Sequence, residues 1–276
     1  MSIPPPPPPT PPPPPPPSLP PPPPNRGSGT GATWKDHSRP PHAPFLPSSR
    51  WGLGDAFSSY AIFLLGSILA VLVAFGVQGR DADLGGPWLP LIVITAPTLQ
   101  LAHVMWVGRA RGSGLDPDFG FGFRSIDLAI AGALFIVALV GASVAAVIMA
   151  ALGAAEPTAS VASLAEDAEA GGGIDVWLIT LAVLASTAVP VIEELVYRGL
   201  WWSALLKRGM SENWVLVVTS AVFAAAHLEP GRILILFALG LGIGWGRKLT
   251  GRIWAGIVAH AAINTIGMIA LLAEFT

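Results

Sequence analysis

The chain has 276 residues, of which 52% are hydrophobic and 12% charged, with a mean hydropathy of +0.61. A soluble domain carries about 25% charged residues, so the composition describes a polytopic membrane protein. The net charge of −2 gives no nucleic-acid signal, and the absence of cysteine excludes disulfide frameworks, iron–sulfur clusters and thiolate zinc sites.

The first 24 residues contain 18 prolines. Proline has a fixed φ and no N–H, so this stretch reads as an extended polyproline tract. The chain stays polar and rich in Gly and Pro to about Arg50. Residues 1–50 are therefore expected to form a disordered, cytoplasmic, proline-rich tail. No basic stretch followed by an apolar core marks a cleaved signal. The tract could dock an SH3-like partner, although a solvated tail is the simpler reading.

Three segments are long enough to cross a bilayer alone: Ser58–Val77, Pro87–Val107 and Leu128–Leu152. A fourth runs from Val176 toward Leu206. Trp214–Ala226 and Ile233–Gly246 are shorter, and Ile253–Ala273 is the last. The expected fold is all-α, a transmembrane bundle of about seven helices. Residues 51–173 would form N-terminal helices and loops, and 174–273 a catalytic domain. Leaving Arg198 aside, this layout places 12 Lys and Arg residues on one side and 2 on the other. The positive-inside rule then puts the N-terminus in the cytoplasm and the C-terminus outside.

Charge reappears where it is least expected. Glu193 and Glu194 follow the uncharged run Val176–Ile192, and Arg198 lies four residues past Glu194. An ionisable residue in a membrane is costly and persists where it pairs, lines a wet cavity or does chemistry. Glu194 and Arg198, at i and i+4 with the acid first, suit a structural ion pair. Glu193 points about 100° away, and Pro190 would loosen the helix just before it. Glu193 and His227 are each 17 residues from Met210, so in a helical hairpin they lie at similar depth. His260 and Asn264, again i and i+4, share a face. A carboxylate beside an imidazole can deprotonate a water, and an imidazole with an amide donor can hold a tetrahedral oxyanion. The set fits amide hydrolysis without a Ser or Cys nucleophile. His103, alone in an apolar span, reads as packed or hydrogen-bonded. Asp116 and Asp118 read as turn formers, with the neighbouring Phe residues as membrane-surface anchors.

These residues resemble a known family. Glu193-Glu194-Leu-Val-Tyr-Arg198 fits EExxxR, Phe223-Ala-Ala-Ala-His227 fits FxxxH, and His260-Ala-Ala-Ile-Asn264 fits HxxxN. In this order, over residues 174–270, they are similar to the CPBP family of intramembrane proteases (CAAX proteases and bacteriocin-processing enzymes, also called the Abi family). The resemblance implies a membrane-embedded endopeptidase in which Glu193 and His227 activate water, His260 and Asn264 form the oxyanion hole, and Glu194 and Arg198 support the site. The family has also been called metalloproteases. A zinc ion would take Glu193, His227 and His260, but the HExxH spacing of soluble zinc proteases is absent, and the metal-free glutamate mechanism is preferred. The implied partners are membrane lipid and a membrane-anchored peptide of CAAX or leader type.

Two other functions fit a membrane protein with buried polar groups. A carrier or proton relay would be marked by internal repeats with discontinuous helices, and no repeat is evident. A non-catalytic scaffold or bacteriocin-immunity protein would keep the motif residues for packing alone.

Overall fold

The computed structural model describes residues 50–80, 84–153 and 174–273. The proline tract with its SH3-like docking, and the acidic stretch Glu156 to Glu169, lie outside them. Every described element is helical. Helix α1 spans Leu53–Gln78, with Asp55 in its first turn accepting from Gly52 N at 2.9 Å. The acid there also complements the helix dipole. Helix α2, Trp88–Trp106, runs on into a π-helical turn, Val107–Arg111. His103 Nε2 lies 3.1 Å from Asp55 O, so this histidine is bonded into the α1–α2 contact.

A short helix, α3 (Leu115–Phe119), precedes α4 (Ile126–Ala151). Both aspartates of α3 make turns. Asp118 Oδ2 accepts from Ser113 N at 2.5 Å and Gly114 N at 3.2 Å, and Asp116 Oδ1 from Gly122 N at 2.7 Å. Phe119 is a core residue, fully buried against Trp51, instead of a surface anchor.

Then follow α5 (Val176–Ser186), α6 (Ala188–Glu194), a π-helical turn (Leu195–Trp201), α7 (Trp202–Lys207), α8 (Glu212–Ala226), α9 (Ile233–Thr250) and α10 (Trp254–Ala273). Asp175 caps α5 by accepting from Trp177 N and Leu178 N at 3.0 and 2.7 Å. Six helical stretches among the described residues are long and apolar enough to cross a membrane, and the chain is a multi-pass membrane protein. The seventh expected span exists as α8, but its 15 residues are fewer than the about 20 needed to cross unaided.

Helices α4, α9 and α10 form one packed group, with α8 against α9, and α1, α2 and α5 form a neighbouring one. Between lipid-like surfaces, helices associate where small side chains let backbones approach. Here a Cβ added to Gly242 would stand 2.6 Å from Ala138 Cα, and one on Gly246 would stand 2.6 Å from Leu134 Cδ1. The buried pair Asp127–Arg252, at 2.7 Å, ties the start of α4 to the α9–α10 turn.

Replacing Gly242 by Ala should therefore lower stability by about 1–3 kcal/mol, because the obstructing atom is backbone and cannot swing aside. Gly132→Ala, where the added carbon meets nothing within 4 Å, is the control and should be neutral or stabilising. Thermal unfolding in detergent reads both.

Candidate active site

The two glutamates sit at the end of a helix that has been interrupted twice. The first break is at Thr187, with φ −122° and ψ −66°. Pro190 causes it from three residues further on: the ring crowds the carbonyl four residues back, that of Ser186, and supplies no N–H to it. The second is the π turn that begins at Leu195, directly after Glu194. Such turns are rare and concentrate at functional sites. All seven of its residues are buried. Gly199 lies within it, and a Cβ there would stand 3.0 Å from Phe119 Cβ, so the α3 segment presses against the turn. Ser203 Oγ donates to Asp118 O at 2.8 Å just beyond.

Glu194 is fully buried. Its Oε1 accepts from Arg198 Nη1 at 2.7 Å and lies 3.2 Å from His260 Nδ1. Arg198 Nη2 donates to Gly240 O at 2.8 Å, and its guanidinium carbon is 4.9 Å from the centre of the Phe223 ring. Both arms of the guanidinium fork are thus committed to Glu194 and to α9. Glu193 is left to the other side of the imidazole: its Oε2 is 3.5 Å from His260 Nε2, and its side chain is 18% exposed where those of Glu194 and His260 are almost wholly enclosed. His260 therefore stands between two carboxylates. A neutral imidazole has one N–H. Assigned to Nδ1, where it serves Glu194, that proton leaves Nε2 a lone pair facing Glu193.

His227 is the capping residue directly after α8. Its Nδ1 lies 2.8 Å from Phe223 O. A carbonyl only accepts, so Nδ1 carries the hydrogen and Nε2 is the basic nitrogen. Phe223 connects the histidines: its ring centroid is 4.7 Å from that of His227 and 5.6 Å from that of His260, both edge-on. His227 does not bond Glu193 directly. Asn264 Nδ2 donates to Ala185 O at 2.9 Å, a carbonyl beside the α5–α6 break. Its amide is therefore bound to backbone in this state.

For zinc, Glu193 Oε2 and His260 Nε2 are spaced as two ligands of one ion would be, about 3.3 Å apart at normal bond lengths. The third donor does not join them: among the described residues no three His, Asp or Glu side chains converge as a ligand set. This arrangement does not fit a three-ligand zinc centre.

Several site-forming residues escape a reading by motif. Gly240 supplies the carbonyl for Arg198. A Cβ on Gly256 would come 2.8 Å from Glu194 Oε2, and one on Gly244 would come 3.2 Å from Arg198 Nε. Glycine is unfavourable in a helix interior, so the run Gly240, Gly242, Gly244, Gly246 was a visible signal of close approach. Which charged group it approaches was not visible.

With this geometry in place, the chain can be set beside known proteins. Residues 175–266 match the family described as Rce1-like, type II CAAX prenyl endopeptidase. The match supports a CPBP-type domain over that segment. Its bounds nearly coincide with the stretch holding the three motifs, and it contains the π turn, both histidines and the glycine-lined α9. The chain is 27% identical over 92 residues to the protein named "Putative membrane peptidase YdiL" from Bacillus subtilis (strain 168). The aligned stretch is 33% of this chain and 37% of that protein, so the chain spans little more than a third of the relative's length. No solved structure matches.

Proposed function

We propose that the chain is an intramembrane endopeptidase that hydrolyses a peptide bond of a membrane-associated substrate. The observation that carries this reading is His260 held between Glu193 and Glu194 inside an apolar bundle. A buried structural ion pair needs Arg198 and Glu194 alone, whereas the additional carboxylate, partly open and facing an imidazole nitrogen, is a proton-transfer arrangement. In this reading Glu193 and the basic Nε2 of His227 take the proton of the attacking water. The water oxygen bonds to the carbonyl carbon, the carbonyl oxygen becomes an oxyanion, and the proton passes to the departing amine. Asn264 donates to the oxyanion through its amide, and His260 through Nε2 in its doubly protonated form. For Asn264 this requires exchanging its bond to Ala185 O.

The mechanism we propose is metal-free, with a CAAX-type or leader-peptide substrate anchored in the bilayer. The tail and the basic loops would be cytoplasmic and the C-terminus outside. That orientation requires the short α8 to count as a crossing.

Purified protein in detergent, offered a membrane-anchored reporter peptide library, tests the proposal. Wild type should cleave with or without a zinc chelator. His227→Ala should lose about 10²–10⁴ in rate, and Asn264→Ala about 10²–10³ with little change in thermal midpoint. Inhibition by the chelator would replace the metal-free mechanism. Asn264→Ala that unfolds early but cleaves normally would make that residue a helix tie only.

A further inference from the structure

The turn after His227 contains the one non-glycine residue with positive φ among the described residues, Leu228 at φ +55°. Left-handed backbone is disfavoured for a residue with a Cβ, and a bulky side chain there is an outlier. Helices commonly end this way, but with glycine in that position. The conformation is enforced from outside the residue. His227 closes α8, Leu228 N donates to Ala225 O at 3.2 Å, and Pro230 keeps Glu229 out of the helical region, at φ −111° and ψ 82°. Arg232 pairs with Glu229 at 2.6 Å and also donates its N–H to Glu229 O at 3.0 Å, closing the link into α9.

The strain is not offset by packing, because Leu228 is 69% exposed. Strain persists at functional sites when the surroundings enforce it. The turn thus holds an apolar side chain outward, one residue from His227.

We propose that Leu228 is a specificity-determining residue of this site, presenting its side chain to an apolar residue of the bound peptide beside the scissile bond. This rests on the peptidase reading and goes beyond it by assigning the recognition of a flanking side chain.

The test uses two substitutions that tolerate left-handed backbone, Leu228→Gly and Leu228→Asn. Both should keep the thermal midpoint within about 3 °C of wild type. The substrates are paired membrane-anchored reporter peptides with Leu or Ser flanking the cleaved bond. Wild type should favour the Leu peptide, and both variants should lose about tenfold or more of that preference through KM, the factor expected when burial of one leucine side chain is lost. An unchanged preference and KM would overturn the proposal. Because the chain has no cysteine, a benzophenone can also be attached at Leu228→Cys alone. It should capture the Leu peptide on irradiation, and failure to capture it would overturn the contact. If wild type cleaves neither peptide, the peptidase reading fails, and the capture result still decides whether peptide meets position 228.

Discussion

Glu193→Gln should lower the rate of peptide cleavage by about 10²–10⁴ while leaving the fold intact. The substitution preserves side-chain shape and removes only the capacity to take a proton. Glu193 makes no ion pair with Arg198, and its contact with His260 is long, at 3.5 Å, so little stability rests on it. The effect should fall on kcat, with KM nearly unchanged, because the proton is taken only as the water attacks. Glu193→Asp should be nearly as damaging, since withdrawing the carboxylate by one carbon takes it out of reach of both the imidazole and the water. The measurement is single-turnover cleavage of a reporter peptide already found to be a substrate, alongside thermal unfolding of each variant. A Gln variant with wild-type kcat would remove Glu193 from the chemistry.

Removing the guanidinium of Arg198 should have the largest effect on stability. Arg198→Met leaves Glu194 buried with His260 as its remaining partner and frees Gly240 O. Breaking a buried ion pair from one side costs about 3–5 kcal/mol, because the surviving charge is left without compensation. Arg198→Lys should rescue only part of this. A single ammonium cannot reach Glu194 Oε1 and Gly240 O with the planar fork that holds both at 2.7 and 2.8 Å. The double variant Glu194→Gln/Arg198→Met should regain much of the lost stability, since no charge is left unpaired. It should not regain activity, because His260 would lose the carboxylate that sets its Nδ1 hydrogen. Thermal midpoints of the two single variants and the double, read as a cycle, decide this. If Arg198→Met proves as stable as wild type, the pair is not structural.

Much of the site was legible as a set of candidates because polar residues stand out against apolar segments. Glu193, Glu194, Arg198, His227, His260 and Asn264 could all be named without coordinates. Their contacts could not. Simple helical phase pairs Glu194 with Arg198 and leaves Glu193 on another face, yet it is silent on the imidazole 66 residues later that stands between the two carboxylates. Phase also fails at Leu195, where the backbone widens into a π turn, and it places the loosening of the helix at Pro190, whereas the break falls at Thr187. Asn264 reads as a free amide donor on the face of His260, but its hydrogen bond goes to Ala185 O.

The division follows from the range of the forces involved. Sequence by itself determined that this is a bundle of membrane-crossing helices, because length and hydropathy are properties of each segment. It also determined the chemical inventory. Only the tertiary structure decided that His260 lies between Glu193 and Glu194, that Arg198 reaches Gly240 O, that the α3 segment presses on the π turn, and that Leu228 is forced outward. Each of those depends on how closely two distant backbones approach. Here that approach is set by α9 packing through Gly242 and Gly246 onto α4, and by α10 bringing Gly256 and His260 up to Glu194.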